Sequence, residues 1–134
     1  MRDSYYDTPD FRRILKKYED AQSKGEPVFI DSDDLIRICE YYQTNGEESK
    51  AVEGVRYALK LFPGAVEPLA FLSRYVLLVK KDPEKARKYA EQIQDKNDVD
   101  YFYLIAEIMI VEQRQEEADN YLEEQIPVVE EEEE

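Results

Sequence analysis

The sequence predicts an all-α chain, a right-handed α-solenoid of helix–turn–helix repeats with about seven helices. Three observations carry that prediction. Ala51, Ala86 and Ala118 recur at intervals of 35 and 32 residues. Each opens an apolar-striped helix that follows a second helix of the same kind. The chain has only four glycines and six prolines, and they cluster between the striped segments. A period of roughly 34 residues built from helix, turn and helix marks tandem repeats, in which each unit buries its apolar face only against a neighbour.

The elements follow in order. Thr8-Pro9-Asp10 starts the first helix: Thr8 caps it, Pro9 suits its first position, and Asp10 complements the positive helix end. Phe11, Ile14, Leu15, Tyr18 and Ala21 keep helical spacing until Gly25-Glu26-Pro27 stops it. Val28-Phe29-Ile30 is a short apolar link tucked against a neighbour. Ser32 or Asp31 caps the next helix, whose stripe is Leu35, Ile38, Cys39 and Tyr42. Asn45-Gly46 is a turn. Ala51, Val55, Ala58 and Leu61 follow on the next helix, which ends at Pro63-Gly64. The third pair begins near Pro68 with Leu69, Leu72, Ser73 and Val76. Asp82-Pro83 caps and opens its partner helix of Ala86, Tyr89, Ala90 and Ile93. Asn97-Asp98 caps the last pair, which carries Phe102, Ile105, Ala106 and Met109, then Ala118, Tyr121 and Leu122. Pro127 is expected to end the order. The organisation is therefore a capping helix and link over 1–31, repeats over 32–65, 66–98 and 99–126, and an acidic tail over 127–134.

Aligned, the pairs share a leading apolar residue (Leu35, Leu69, Phe102), a second three residues on (Ile38, Leu72, Ile105), and then a small one (Cys39, Ser73, Ala106). Tyr42, Val76 and Met109 come three later. The second helices give the alanine and then Val55, Ala90 or Leu122 four residues on. Antiparallel helices about 8–10 Å apart need a small side chain where they cross and larger ones on either side. The arrangement resembles the tetratricopeptide repeat family over residues 32–126. Its fullest match is Leu35-x-x-Ile38-Cys39-x-x-Tyr42, then Ala51, Val55, Ala58 and Pro63. It departs from the family in lacking a tryptophan at the leading position and a glycine at the small one. The second repeat has one extra residue, placed in the Lys80–Asp82 turn.

The resemblance implies a protein-binding module whose first helices line a concave groove. The corresponding positions are Asp33, Ile36, Arg37, Glu40 and Gln43, then Phe71, Arg74, Leu77 and Leu78, then Tyr103, Leu104, Glu107 and Ile110. Ile36 and Glu40 stand where a carboxylate-gripping subclass needs lysine and asparagine, so that mode is rejected. The stretches 68–79 and 101–111 are apolar almost all round. Either neighbouring repeats cover them on every side, or part of them is an open apolar groove. On the second reading Phe71, Leu78, Tyr103 and Leu104 supply apolar burial, and Arg37, Glu40, Arg74 and Glu107 set orientation and selectivity.

Charge narrows the classes. The formal charge is −14, so nucleic acid and anionic membrane surfaces are disfavoured partners. Residues 112–134 hold eleven acids and one base, which makes the acidity chiefly a C-terminal property. No apolar run is long enough to cross a membrane. The start lacks the apolar core of a secretory signal, and the single Cys39 has no internal disulfide partner; a reducing, cytoplasmic setting is expected. With no histidine, neither Cys39 nor any serine has an imidazole base, and the chain is not expected to be an enzyme or to need a cofactor or metal. Asp31-x-Asp33-Asp34 lacks the glycine and closing glutamate of a calcium loop and reads as helix capping. The expected role is a non-catalytic protein–protein interaction scaffold that takes a protein or peptide segment. Homodimerisation through the same face and a holding chaperone for an apolar client are the alternatives.

Overall fold

A computed structural model describes residues 6–133, with side chains described over 6–126. The described residues form seven helices and no strand: α1 (Pro9–Lys24), α2 (Ser32–Thr44), α3 (Glu48–Leu61), α4 (Val66–Leu78), α5 (Pro83–Glu91), α6 (Val99–Val111) and α7 (Gln115–Glu133). The chain divides into two compact units, Met1–Ala58 and Leu59–Glu134.

Capping residues set the helix starts. Thr8 accepts from the Phe11 amide with Pro9 in the first turn, Asp31 accepts from Asp34, Asp82 from Lys85, and Asp98 from Asp100. Each satisfies an amide that the first turn leaves unpaired. Of the two cap candidates before α2, Asp31 has the role. At its other end α1 stops at Gly25, whose backbone is left-handed (φ 65°).

The three hairpin turns share one design. A residue in the left-handed region closes each: Gly46 (φ 77°), Lys81 (φ 56°) and Gln113 (φ 64°). The next amide donates back to the carbonyl of the aligned position: Glu47 to Tyr42 at 2.8 Å, Asp82 to Val76 at 3.0 Å, and Arg114 to Met109 at 2.8 Å. The middle turn spans one residue more than the others, where the extra residue of the second repeat was placed. Glycine adopts this backbone freely, whereas lysine and glutamine are strained there.

In the first unit α1, α2 and α3 pack on one another. Phe11 and Tyr41 rings meet at 5.4 Å, Tyr18 and Tyr57 at 6.3 Å, and the Tyr42 hydroxyl donates to Glu19 at 2.5 Å. Leu35, Ile38, Cys39, Ala51, Val55 and Ala58 are buried. Gly54 lets α3 approach α2 closely: a Cβ there would stand 2.6 Å from the Cys39 sulfur. The link after α1 has no regular secondary structure. Val28 and Ile30 turn inward, the Val28 amide donates to the Tyr57 hydroxyl at 3.2 Å, and Phe29 is left 90% exposed.

In the second unit α4 packs on α5, α6 packs on α7, and α6 also touches both α4 and α5. Leu69, Leu77, Ala86, Ala90, Ile93, Leu104 and Ile108 form one core. Burying each such leucine or isoleucine contributes about 1.5–3 kcal/mol. Ser73 stands at the crossing of α4 and α5, fully buried, and its hydroxyl donates to the Ala86 carbonyl at 2.7 Å. That bond offsets the cost of placing a hydroxyl in an apolar contact. Ala86 and Ala118 are buried as well.

The chain stays helical through Pro127 to Glu133, beyond the point where the sequence predicts order to end. Pro127 has no amide hydrogen and so cannot bond the carbonyl four residues before it, but the glutamates on both sides are good helix formers. The side chains expected to form a solvated acidic tail over 127–134 lie outside the described residues.

Candidate functional site

An open face of the second unit is formed by α4 and α6. On α4, Glu67, Phe71, Arg74 and Leu78 recur at steps of four, three and four and share one face. Leu69, Leu72, Ser73, Val76 and Leu77 occupy the buried side of that helix. On α6, Tyr103, Glu107 and Ile110 form the matching exposed stripe, with Phe102, Leu104, Ile105, Ala106 and Ile108 buried. Neighbouring helices cover most of each apolar stretch, and one stripe of each stays open.

Arg74 and Glu107 tie the two stripes together. The guanidinium Nε donates to Oε1 at 2.9 Å and a terminal nitrogen donates to Oε2 at 3.3 Å, a two-pronged pair between positions 33 residues apart. That separation is the repeat interval. Both side chains are about one-third exposed or more, so the pair adds no more than about 1 kcal/mol. The pair also links α4 to α6 across the open face. Leu78 is 59% exposed, Tyr103 45% and Ile110 47%, while Phe71 is half-buried.

Leu104 departs from the expectation that it lines this face. It is fully buried in the core with Leu69, Leu77 and Ile108. One residue along a helix is a turn of about 100°, which carries Leu104 from the open side of Tyr103 into the contact with α4 and α5. Leu77 and, in the first unit, Ile36 are buried for the same reason.

Arg37 and Glu40 belong to the first unit, on the exposed side of α2. Arg37 donates to Asp34 of its own helix at 3.0 Å. Partial desolvation raises the pKa of Glu40, and the charge of Arg37 pulls it back down.

Several surface residues were not singled out from the sequence. Val79 and Val111, at the ends of α4 and α6, are exposed; Leu61, read from the sequence as part of the apolar stripe of α3, is exposed as well, at the last residue of that helix. Phe29 had a signal: in an extended segment Val28 and Ile30 point one way and Phe29 the other. Among the described residues no helix is long and apolar enough to cross a membrane. No three potential ligands among them are placed to hold a metal ion. Comparison with protein-family models gives no match, and comparison with curated proteins gives none either.

Proposed function

We propose that this chain is a non-catalytic protein-interaction module that takes a segment of another protein on the open face of α4 and α6. In this reading the hairpins of the second unit are consecutive turns of a right-handed, tetratricopeptide-like solenoid, working in a reducing, cytoplasmic setting. The observation that carries the reading is the pair of open stripes: exposed Leu78, Tyr103 and Ile110, with half-buried Phe71, flank the Arg74–Glu107 pair. Apolar side chains held open beside an oriented charge pair suit a partner with alternating apolar and polar positions. The aromatic and leucine side chains supply burial, and the charges disfavour partners whose polar groups do not match.

The test is selection of binding peptides from a displayed library, followed by a Leu78→Asp/Tyr103→Asp variant. Both sites are exposed, so the variant should keep its helical circular dichroism and lose binding by at least tenfold. Unchanged binding with the fold intact would remove this face from the account. Light scattering on a size-exclusion column addresses the dimer: a concentration-dependent dimer abolished by the same variant would make a second copy the occupant. Solubilisation of many unrelated unfolded clients, with no sequence preference, would favour the chaperone alternative.

A further inference from the structure

The chain holds three asparagines, Asn45, Asn97 and Asn120, in three different settings. Asn120 lies inside α7, where the ring of the next residue, Tyr121, packs on Phe102 at 6.2 Å. Asn97 precedes Asp98, whose carboxylate caps α6 and whose amide donates to the Asp95 carbonyl at 3.4 Å. Asn45 differs from both. It caps the C-terminal end of α2, is exposed, and among the described residues no hydrogen bond holds its side chain. The next residue, Gly46, is exposed too, and a Cβ there would meet no atom within 4 Å. Gly46 brings no side chain to crowd its own nitrogen.

A backbone nitrogen that loses its proton is a nucleophile, and the side-chain amide carbon of the preceding asparagine is within reach of a five-membered ring. Attack forms a bond between the Gly46 nitrogen and Asn45 Cγ. The Cγ–Nδ2 bond breaks, and ammonia leaves with the proton that the Gly46 nitrogen gave up. Water then opens the cyclic imide at either carbonyl. Opening at Cγ leaves aspartate in an ordinary backbone. Opening at the main-chain carbonyl leaves isoaspartate, whose backbone runs through the side chain. The sum is asparagine and water going to acid and ammonia, with nothing oxidised or reduced.

The native turn opposes this reaction. The Gly46 amide donates to the Gln43 carbonyl at 3.1 Å, and the Glu47 amide donates to Tyr42 at 2.8 Å. With Asn45 at ψ 10°, the Gly46 nitrogen eclipses the Asn45 nitrogen instead of Cβ, so the ring cannot close until the Cα–C bond rotates. Rotation requires the turn to open locally.

We propose that Asn45–Gly46 is a self-modification site, at which asparagine converts through a cyclic imide to aspartate and isoaspartate at a rate set by opening of the α2–α3 turn. Either product adds a carboxylate at the carbonyl end of α2, close in sequence to Glu47 and Glu48, where the helix dipole disfavours it. Isoaspartate also lengthens the turn that the Glu47–Tyr42 bond closes. The α4–α6 face takes no part.

The test is peptide mapping by mass spectrometry of the full chain, incubated at 37 °C at pH 7 and pH 9, native and in guanidinium chloride, against an unincubated control. Fragmentation by electron transfer tells the two acids apart. A gain of about 1 Da is expected at position 45, as both aspartate and isoaspartate, faster at pH 9, with Asn97 and Asn120 unchanged. The two hydrogen bonds of the closed turn should make the native chain roughly five- to hundredfold slower than the unfolded one. Asn45→Gln, at an exposed position, should abolish the product. No product in either state, aspartate without isoaspartate, earlier modification at Asn97 or Asn120, or a rate independent of pH would overturn the cyclic route. Equal rates in the native and unfolded chain would overturn control by the turn.

Discussion

Replacing Gly54 with alanine sets two effects of opposite sign against each other. Alanine in a helix interior is favoured over glycine by about 0.8–1.0 kcal/mol, so propensity alone predicts a more stable protein. The added Cβ, however, would lie 2.6 Å from the Cys39 sulfur. Real Cβ atoms do not approach a neighbour that closely. Cys39 is fully buried, with a short side chain that has little room to turn away. Relief requires α2 and α3 to separate, and overpacking of this kind costs about 1–3 kcal/mol. The balance is a net loss of up to about 2 kcal/mol. Urea unfolding followed by circular dichroism in reducing buffer reads it as a lower midpoint with unchanged slope. The decisive arm is a double-mutant cycle. With Cys39→Ala the sulfur is gone, so Gly54→Ala should then be neutral or stabilising, with a coupling of about 1 kcal/mol or more. A Gly54→Ala protein that gains stability on its own, or a cycle with no coupling, would refute the argument that this crossing is held close by the missing side chain.

Other predictions follow the same logic. Leu104→Ala should cost about 2–5 kcal/mol in denaturant unfolding, whereas Leu78→Ala should change stability by less than about 0.5 kcal/mol; similar costs would contradict the division between core and open face. Lys81→Gly and Gln113→Gly should each stabilise by up to about 1 kcal/mol, because left-handed backbone costs a side-chain-bearing residue about 1–2 kcal/mol and glycine's entropy returns part of it. Loss of stability in both would contradict the turn geometry. Burial pushes Cys39 and Tyr18 up to about 12 from 9.0 and 10.0, so the folded chain holds these protons more tightly than the unfolded one. Their contribution is fully present below pH 9 and is lost as pH rises toward 12. Unfolding midpoints should fall from pH 8.5 to 10.5, and Cys39→Ala should flatten the first part of that fall; a flat profile in the parent chain would contradict it. A cycle on Arg74 and Glu107 should give a coupling no larger than about 1 kcal/mol, decreasing with salt.

What the sequence shows well is local chemistry. Thr8, Asp82 and Asp98 announce helix starts by their side chains, and each caps as read. Positions 39, 73 and 106 announce helix crossings by their size, and all three are buried. Turns were legible only in part. Gly46 marks its turn, while Lys81 and Gln113 take the same left-handed backbone with no residue-level sign, because the hairpin contacts impose it. Gly54 carried a signal, a glycine inside a striped helix, but its meaning depends on where α2 passes. The open face was harder. Periodicity cannot distinguish Leu104 from Leu78 when every neighbour is apolar; only the position of α4 and α5 against α6 buries one, while the other stays open. Pro127 misled because a proline's missing donor is a cost, and a run of good helix formers can outweigh it.

The claim on which the account most depends is that the exposed stripes of α4 and α6 receive a partner. Amide chemical-shift mapping of the full chain with a display-selected peptide tests it most directly. The largest shifts should fall at Phe71, Arg74, Leu78, Tyr103, Glu107 and Ile110, with Leu104 responding only weakly. Shifts confined to other surfaces, with these residues unmoved at saturation, would contradict the account.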